Sequence, residues 1–341
     1  MPDLMKAVDI KNGKGPASAL FINPSTPIPH SPAGHALVRI KAFGLNRMDL
    51  LQREGNYPLP PQAPSTLGVE FSGTIVSFGG DEPNQEHEHF KKGDEVFGLA
   101  YGGAYAEYIS VSTRMLLHKP NWLSFEQAAG IPETWITALQ ALDFVLGGAE
   151  GKTILWHAGA SSVSISGIQL SRVSGAKETY ATAGTGEKIK FIEGTLGATK
   201  GFNYKSEDWV KGILEATGGK GVDLIVDFVG GGYFEKNLDV VARDGRLVML
   251  GLMGGMQTPD RVNIGKLLYK RVRVEGSTLR SRDEEYQGKL RDRLEQEYLP
   301  KFEKGELKVF VDRVLPWEEI QKGHEVLEAN ETMGKVICTI S

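Results

Sequence analysis

The hydrophobic pattern changes character once, near residue 131. Before it, short stretches show strand-like alternation or β-branched content: Met5–Ile10, Ala36–Ala42, Glu70–Phe78, Asp94–Leu99 and Tyr105–Val111. Gly- and Pro-rich turns separate them. After it, apolar runs read as buried strands at Ile154–Ala158, Thr179–Ala183, Gly201–Tyr204, Leu224–Phe228, Leu247–Gly251 and Val272–Gly276. Between them, apolar residues recur at helical spacing in Val163–Ser174, Glu187–Leu196, Glu207–Thr217, Tyr233–Ala242 and Asn263–Leu268. Strictly alternating strands and helices predict an α/β, doubly wound parallel sheet. A charged helix, Asp283–Lys304, follows. Strand Val309–Leu315, helix Glu318–Ala329 and strand Lys335–Ile340 then return to the β-rich pattern. The expected domains are 1–130, 131–282 and 283–341, with the middle one inserted into the first and last.

The opening strand and helix of the middle domain carry candidate chemistry. Thr153–Ala158 ends in the turn Gly159–Ser162 and enters a helix. A strand, a tight turn and a helix in that order can hold a pyrophosphate on the helix N-terminus. In register with GxGxxG the positions are Gly159, Ser161 and Ser164, so one of three is glycine. The motif alone fits a nucleotide turn or an ordinary βα turn. Three features favour the nucleotide: the segment opens the βαβ run, the second strand ends without an acid, and glycines end later strands. The acid-free tip is Ala183-Gly184-Thr185, with Lys188 beyond it; this leaves room and positive charge for a 2′-phosphate and points to NADP(H), although Glu187 lies close by. The glycine-bearing ends are Val229-Gly230-Gly231 and Gly251-Leu252-Met253-Gly254-Gly255. The expected cofactor contacts here are Gly159, Ala160, Ser161, Ser162, Val163, Gly184, Thr185, Lys188, Val229, Gly230, Gly251, Leu252 and Met253. A side chain at Ser164 is expected to loosen the fit of helix to strand.

Composition narrows the class. The chain has 341 residues, 40% hydrophobic and 24% charged, with a net charge of -4. That balance argues against a nucleic-acid binder. Cys338 is the single cysteine, so neither an internal disulfide nor a four-cysteine zinc lobe is possible. No signal peptide and no apolar stretch near the roughly 20 residues of a membrane span are found, which gives a cytoplasmic expectation. His87 and His89 lie in the polar run Asp81–Lys92, which reads as a solvated loop. The basic run Lys270–Arg282, with Arg271, Arg273, Arg280 and Arg282, is expected to be a solvated surface, with a cleft lining or a dimer support as the alternatives.

Several motifs together carry a family likeness. Gly44-Leu45-Asn46-Arg47-Met48-Asp49-Leu50, Gly55-Asn56-Tyr57-Pro58, Leu67-Gly68-Val69-Glu70-Phe71-Ser72-Gly73, Ile131–Ala138 and Gly201–Tyr204 resemble the medium-chain dehydrogenase/reductase superfamily, in its quinone oxidoreductase (zeta-crystallin-like) branch. Gly251–Gly255 and Leu279–Asp283 extend the likeness to the p53-inducible type. The resemblance covers nearly the whole chain. It implies a Rossmann-type sheet inserted in a β-rich GroES-like domain, NADP(H) as cofactor, a small quinone or enone substrate, and a homodimer paired at the Val272–Gly276 edge.

The resemblance also implies site roles. Asn46, Asp49 and Tyr57 would surround the nicotinamide and substrate: Asn46 donating to a carbonyl, Tyr57 donating a hydrogen bond or proton to the oxyanion, Asp49 organising the loop. Thr137 would lie near the nicotinamide, and Tyr204 with Lys188 would meet the 2′-phosphate. Zinc-dependent relatives carry a cysteine before the Asp and a Gly-His-Glu further on. Here Asn46 stands in that loop and Val69 at the His position, so no zinc is expected. The expected reaction is NADPH-dependent reduction of quinones or related α,β-unsaturated carbonyls. An enoyl or alkenal double-bond reductase, and a cofactor-poor binding protein that keeps the fold, are the competing readings.

Overall fold

The computed structural model describes residues 3–80, 89–258 and 261–341. His87 and most of the polar 81–92 run therefore lie outside the described residues. The chain forms two compact units, 1–136 with 280–341, and 137–279.

The inserted unit has the α/β class expected of it. Its six strands lie in the order Lys200–Asn203, Glu178–Ala183, Thr153–Trp156, Val222–Asp227, Val241–Met249, Arg273–Gly276. All neighbours are parallel. The order reverses between Thr153–Trp156 and Val222–Asp227, and ligands of such sheets bind at the carboxyl ends beside that point. Leu155, Tyr180, Phe202, Trp209, Ile213 and Val222 are core residues on one face of this sheet. The helix Ser162–Val173 closes on the first strand because Gly167 has no side chain; a Cβ there would stand 2.2 Å from the Trp156 ring. Trp156 Nε1 donates to Ser171 Oγ of the same helix at 3.0 Å.

The β-rich unit holds a sheet in the order Val311–Pro316, Lys335–Thr339, His35–Leu45, Glu70–Phe78, Glu95–Leu99, Leu116–His118, with Tyr108–Ser112 pairing to His35–Leu45. The last strand runs antiparallel to His35–Leu45, which brings Leu45 opposite Val336. A separate hairpin pairs Leu4–Ile10 with Leu20–Pro27. Helices Arg47–Arg53, Phe125–Ala129 and Ile320–Glu328 cover the sheet.

One strand is unexpected and two sequence expectations shift. Strand Leu20–Pro27 reads poorly in sequence because Pro24 and Pro27 interrupt it. Such residues suit an edge, and this strand has one partner. Strand Val241–Met249 starts earlier than the expected Leu247. Between the pairs Val222–Val241 and Leu224–Arg246 the chain makes an excursion, with Asp244 at φ 63°, so its first half reads as a turn. The charged helix predicted over Asp283–Lys304 breaks into Glu284–Arg293, a π-helical turn Leu294–Tyr298 and Leu299–Glu303. Pro300 has no N–H to continue the ladder at that point.

Candidate active site

In the β-rich unit, the family motifs fold into one buried polar cluster. Gly44 lacks a side chain because the Glu70 carboxylate fills the space: a Cβ would lie 2.3 Å from Glu70 Oε1 and 2.8 Å from Ala129 O. Asn46 then caps helix Arg47–Arg53. Its backbone N–H donates to Asp49 Oδ2 at 2.8 Å. Its amide is held at both ends: Nδ2 donates to Glu70 Oε1 at 2.9 Å and Oδ1 accepts from Lys335 Nζ at 2.9 Å. Lys335 also donates to Leu45 O at 3.1 Å and to Glu70 Oε1. One of the two amide N–H groups thus goes to Glu70. Glu70 Oε2 accepts from Glu133 N at 2.9 Å.

Asp49 is fully buried and accepts three hydrogen bonds, from Asn46 N, from Gly68 N at 3.3 Å and from Tyr105 Oη at 3.1 Å. Gly68 sits at φ 92°, and a Cβ on it would come within 2.4 Å of the Tyr105 ring. Glycine is therefore required there on two counts. Burial pushes the Asp49 carboxyl up to about 6, against the pull of its donors and of Arg280 and Lys335. Glu133 is pushed up to about 7, first by burial and then by Glu70. Tyr57 is partly buried, and burial raises its phenol above the usual value. The Arg280 guanidinium lies 5.4 Å from the Tyr57 ring centroid and donates to Gln52 Oε1 at 2.8 Å and to Tyr101 O at 2.6 Å.

Arg280 corrects an expectation. It is 3% exposed, so it does not belong to a solvated basic surface, whereas Arg271, Arg273 and Arg282 are exposed. Glu70, Glu133, Lys335, Tyr105, His324 and Arg280 went unrecognised as site residues. A lysine opening the largely apolar run Lys335–Ile340 was the clearest available signal.

In the inserted unit, the turn after the first strand is tight. Ala158 takes φ 50°, uncommon for a residue with a side chain, and Gly159 N donates to Thr182 O at 2.7 Å. A Cβ on Gly159 would meet Ala181 and Ile192 at 2.7 and 2.8 Å. Ala160 is buried, and Ser161 caps the twelve-residue helix with the partly exposed Ser162 and Val163 in its first turn. Ser164 differs from the expectation that it loosens the fit. Its side chain is fully buried and turned inward, and Oγ donates to His157 O at 2.7 Å, tying helix to strand.

Around the neighbouring strand ends, Thr185 caps helix Gly186–Gly194, and its Oγ1 accepts from Lys188 N at 3.2 Å. A Cβ on Gly184 would lie 2.8 Å from Tyr204 Oη and 3.2 Å from Lys205 Cε, so these residues share one corner. Tyr204 is 45% exposed. Asp227 Oδ1 accepts from Val229 N at 2.7 Å and from Gly230 N at 3.2 Å. Met253 N and Gly254 N donate to Phe228 O and Val229 O, which joins the Val229–Gly230 and Gly251–Met253 loops. Leu252 and Met253 are exposed there. His157 links a strand to a helix, Nδ1 to Thr182 Oγ1 of strand Glu178–Ala183 at 3.0 Å and Nε2 to Asn237 Oδ1 of helix Gly231–Val240 at 2.7 Å. Thr137 lies partly exposed in helix Pro132–Leu139, apart from these loops in sequence.

Comparison with known proteins follows the same division. The Alcohol dehydrogenase GroES-like domain family matches residues 32–121, and the Zinc-binding dehydrogenase family matches residues 162–296. Quinone oxidoreductase 1 of Escherichia coli K12 is 32% identical over 315 residues, 90% of this chain and 91% of its own. A quinone oxidoreductase of Pongo abelii is 28% identical over 339 residues, covering 99% of this chain and 98% of its own. The crystal structure of Escherichia coli quinone oxidoreductase complexed with NADPH superposes with a TM-score of 0.85 at 29% identity, covering 98% of this chain and all of that one.

Proposed function

Since this chain belongs to the quinone oxidoreductase family of the medium-chain dehydrogenases/reductases, we propose that it reduces quinones or related α,β-unsaturated carbonyls with NADPH, in the cytoplasm and without zinc. The observation that carries the zinc-free chemistry is Lys335. Its ammonium sits against Glu70, Asn46 Oδ1 and Leu45 O, so a fixed protein cation already uses these oxygens. Asn46 and Val69 supply neither thiolate nor imidazole beside it. A zinc ion does not fit this donor set.

NADPH does fit the second unit. Gly159, Ser161, Ser162 and Val163 would take the pyrophosphate at the helix N-terminus. Gly184, Thr185, Lys188 and Tyr204 would take the 2′-phosphate, at a strand tip that bears no acid. Val229, Gly230, Gly251, Leu252 and Met253, with Thr137, would line the nicotinamide half. When bound, NADPH supplies the hydride. An electron-poor carbonyl spreads the arriving charge through its conjugated system, so the protein's work is mainly positioning. The remaining Asn46 N–H donates to the substrate carbonyl. The Tyr57 phenol, whose ionisation burial further disfavours, donates to the oxygen as it becomes anionic. Asp49 holds the loop that aims Asn46.

The proposed assembly is a homodimer. Strand Arg273–Gly276 is an edge of the parallel sheet, and nearby Ile264, Leu268 and Tyr269 are 69%, 75% and 73% exposed.

The test is NADPH oxidation by chelator-treated protein with 1,4-benzoquinone, 9,10-phenanthrenequinone and 2-alkenals. Turnover of the quinones, undiminished by the chelator, is expected. Turnover of alkenals alone would move the reading to double-bond reduction. Absence of saturable NADPH binding would leave a cofactor-poor binding protein.

A further inference from the structure

Beneath the Asn46–Asp49 loop lies a chain of buried polar groups that the proposed reaction does not use. Tyr105 Oη stands 3.1 Å from Asp49 Oδ2 and 3.3 Å from His324 Nε2. His324 Nδ1 stands 3.2 Å from Arg53 Nη1. Tyr105, His324 and Arg53 are all at most 1% exposed. They come from a loop, from helix Ile320–Glu328 and from the end of helix Arg47–Arg53.

Chemistry fixes the direction of every bond. Arginine has donors only, so the His324 nitrogen that faces it must be the bare acceptor, Nδ1. The ring proton therefore sits on Nε2 and points to Tyr105 Oη. The phenol proton is then committed to Asp49 Oδ2. No alternative direction satisfies Arg53. At its far end, Arg53 donates from Nε to Gly15 O at 2.9 Å and pairs through Nη2 with Glu54 and Glu328 at 2.8 and 2.6 Å. His324 stays neutral: burial, then the Arg53 charge, lower it to about 3.

We propose that Arg53, His324 and Tyr105 are positioning residues that act as a one-way hydrogen-bond chain, keeping Asp49 ionised and thereby keeping Asn46 aimed. A carboxylate can accept from Asn46 N, Gly68 N and Tyr105 at once. Protonation would place a donor among these donors and release one of them. Other groups act on Asp49 from the elements around it. Arg280 and Lys335 favour its charge; Glu133, on helix Pro132–Leu139, opposes it; and Tyr57 senses it. Against that background Tyr105 is the neutral group whose removal changes Asp49 without removing a charge. The functional consequence rests on the proposed reading that Asn46 serves the reacting carbonyl.

The decisive variants are Tyr105→Phe, His324→Gln and His324→Phe, each followed by the pH profile of kcat/KM for NADPH-dependent quinone reduction. A glutamine can accept from Arg53 with its oxygen and donate to Tyr105 with its nitrogen. The wild type should lose activity in acid with an inflection near 6. Tyr105→Phe and His324→Phe should move that inflection up by roughly half a unit to one unit, and His324→Gln should restore it. The carbon-13 titration of the Asp49 carboxyl reads the same shift without activity. An Asp49 titration that is the same in Tyr105→Phe as in the wild type would overturn the proposal. If the carboxyl shifts but no quinone is reduced by any form, the chain stands and the proposed reaction fails. The wild type provides a check that needs no variant. Its imidazole nitrogen-15 spectrum should show His324 protonated on Nε2 and bare on Nδ1 from about pH 5 to about pH 8; a proton on Nδ1 would overturn the direction assigned here.

Discussion

Glu133 shows how a single buried carboxyl reports on the site around it. Its folded value is raised from 4.5 to about 7, chiefly by burial and next by Glu70. A raised acid favours the folded state when protonated. That contribution is full below about 4.5 and is lost as the pH rises through about 7. Glu133→Gln keeps the shape and removes the titration. In urea unfolding, the variant should gain stability over the wild type between roughly pH 5 and 8, by up to about 3 kcal/mol. A stability difference that does not change with pH would contradict the assignment. At this scale the sequence was informative only where a motif compresses the contact. Asn46 and Asp49 are three positions apart, and their pairing could be read from the loop. Arg53 and His324 are 271 positions apart, and Lys335 is 289 from Asn46. Beyond the charge that opens the strand at Lys335, nothing local in a lone histidine or lysine announces such partners.

Elements were easier to read, because apolar runs of five or six residues leave little choice but burial between helix layers. The parallel strands from Thr153–Trp156 to Arg273–Gly276 emerged for that reason. Where backbone geometry departs from the run, as in the excursion after Val241, periodicity failed. The first helix of the inserted unit also shows what the glycine pattern conceals. Sequence attention falls on Ser164, yet the close approach is made by Gly167 over Trp156. Ser164 meets its strand through a hydrogen bond instead. Gly167→Ala should therefore force the Trp156 ring to move and cost about 1–3 kcal/mol, more than the helix gains from alanine. Urea unfolding followed by tryptophan fluorescence measures it. A neutral or stabilising outcome would contradict the packing described.

For the whole molecule, two units of different chemistry are assembled from three sequence segments. One holds a buried carboxylate, amide and lysine cluster, and the other a set of strand-end loops with no acid at the tip of the second strand. If the edge Arg273–Gly276 pairs between copies, Leu268→Glu combined with Tyr269→Glu should convert a dimer to a monomer in sedimentation equilibrium. A wild-type monomer would contradict the assembly. The central claim is hydride transfer from NADPH to a quinone without metal. It is tested most directly by a single turnover of chelator-treated protein with 9,10-phenanthrenequinone and NADPH deuterated at the transferred position of C4. The account predicts stoichiometric oxidation that is slowed by the label, yielding NADP+ that has lost its deuterium. NADPH left unoxidised, or oxidised only after zinc is restored, would contradict it.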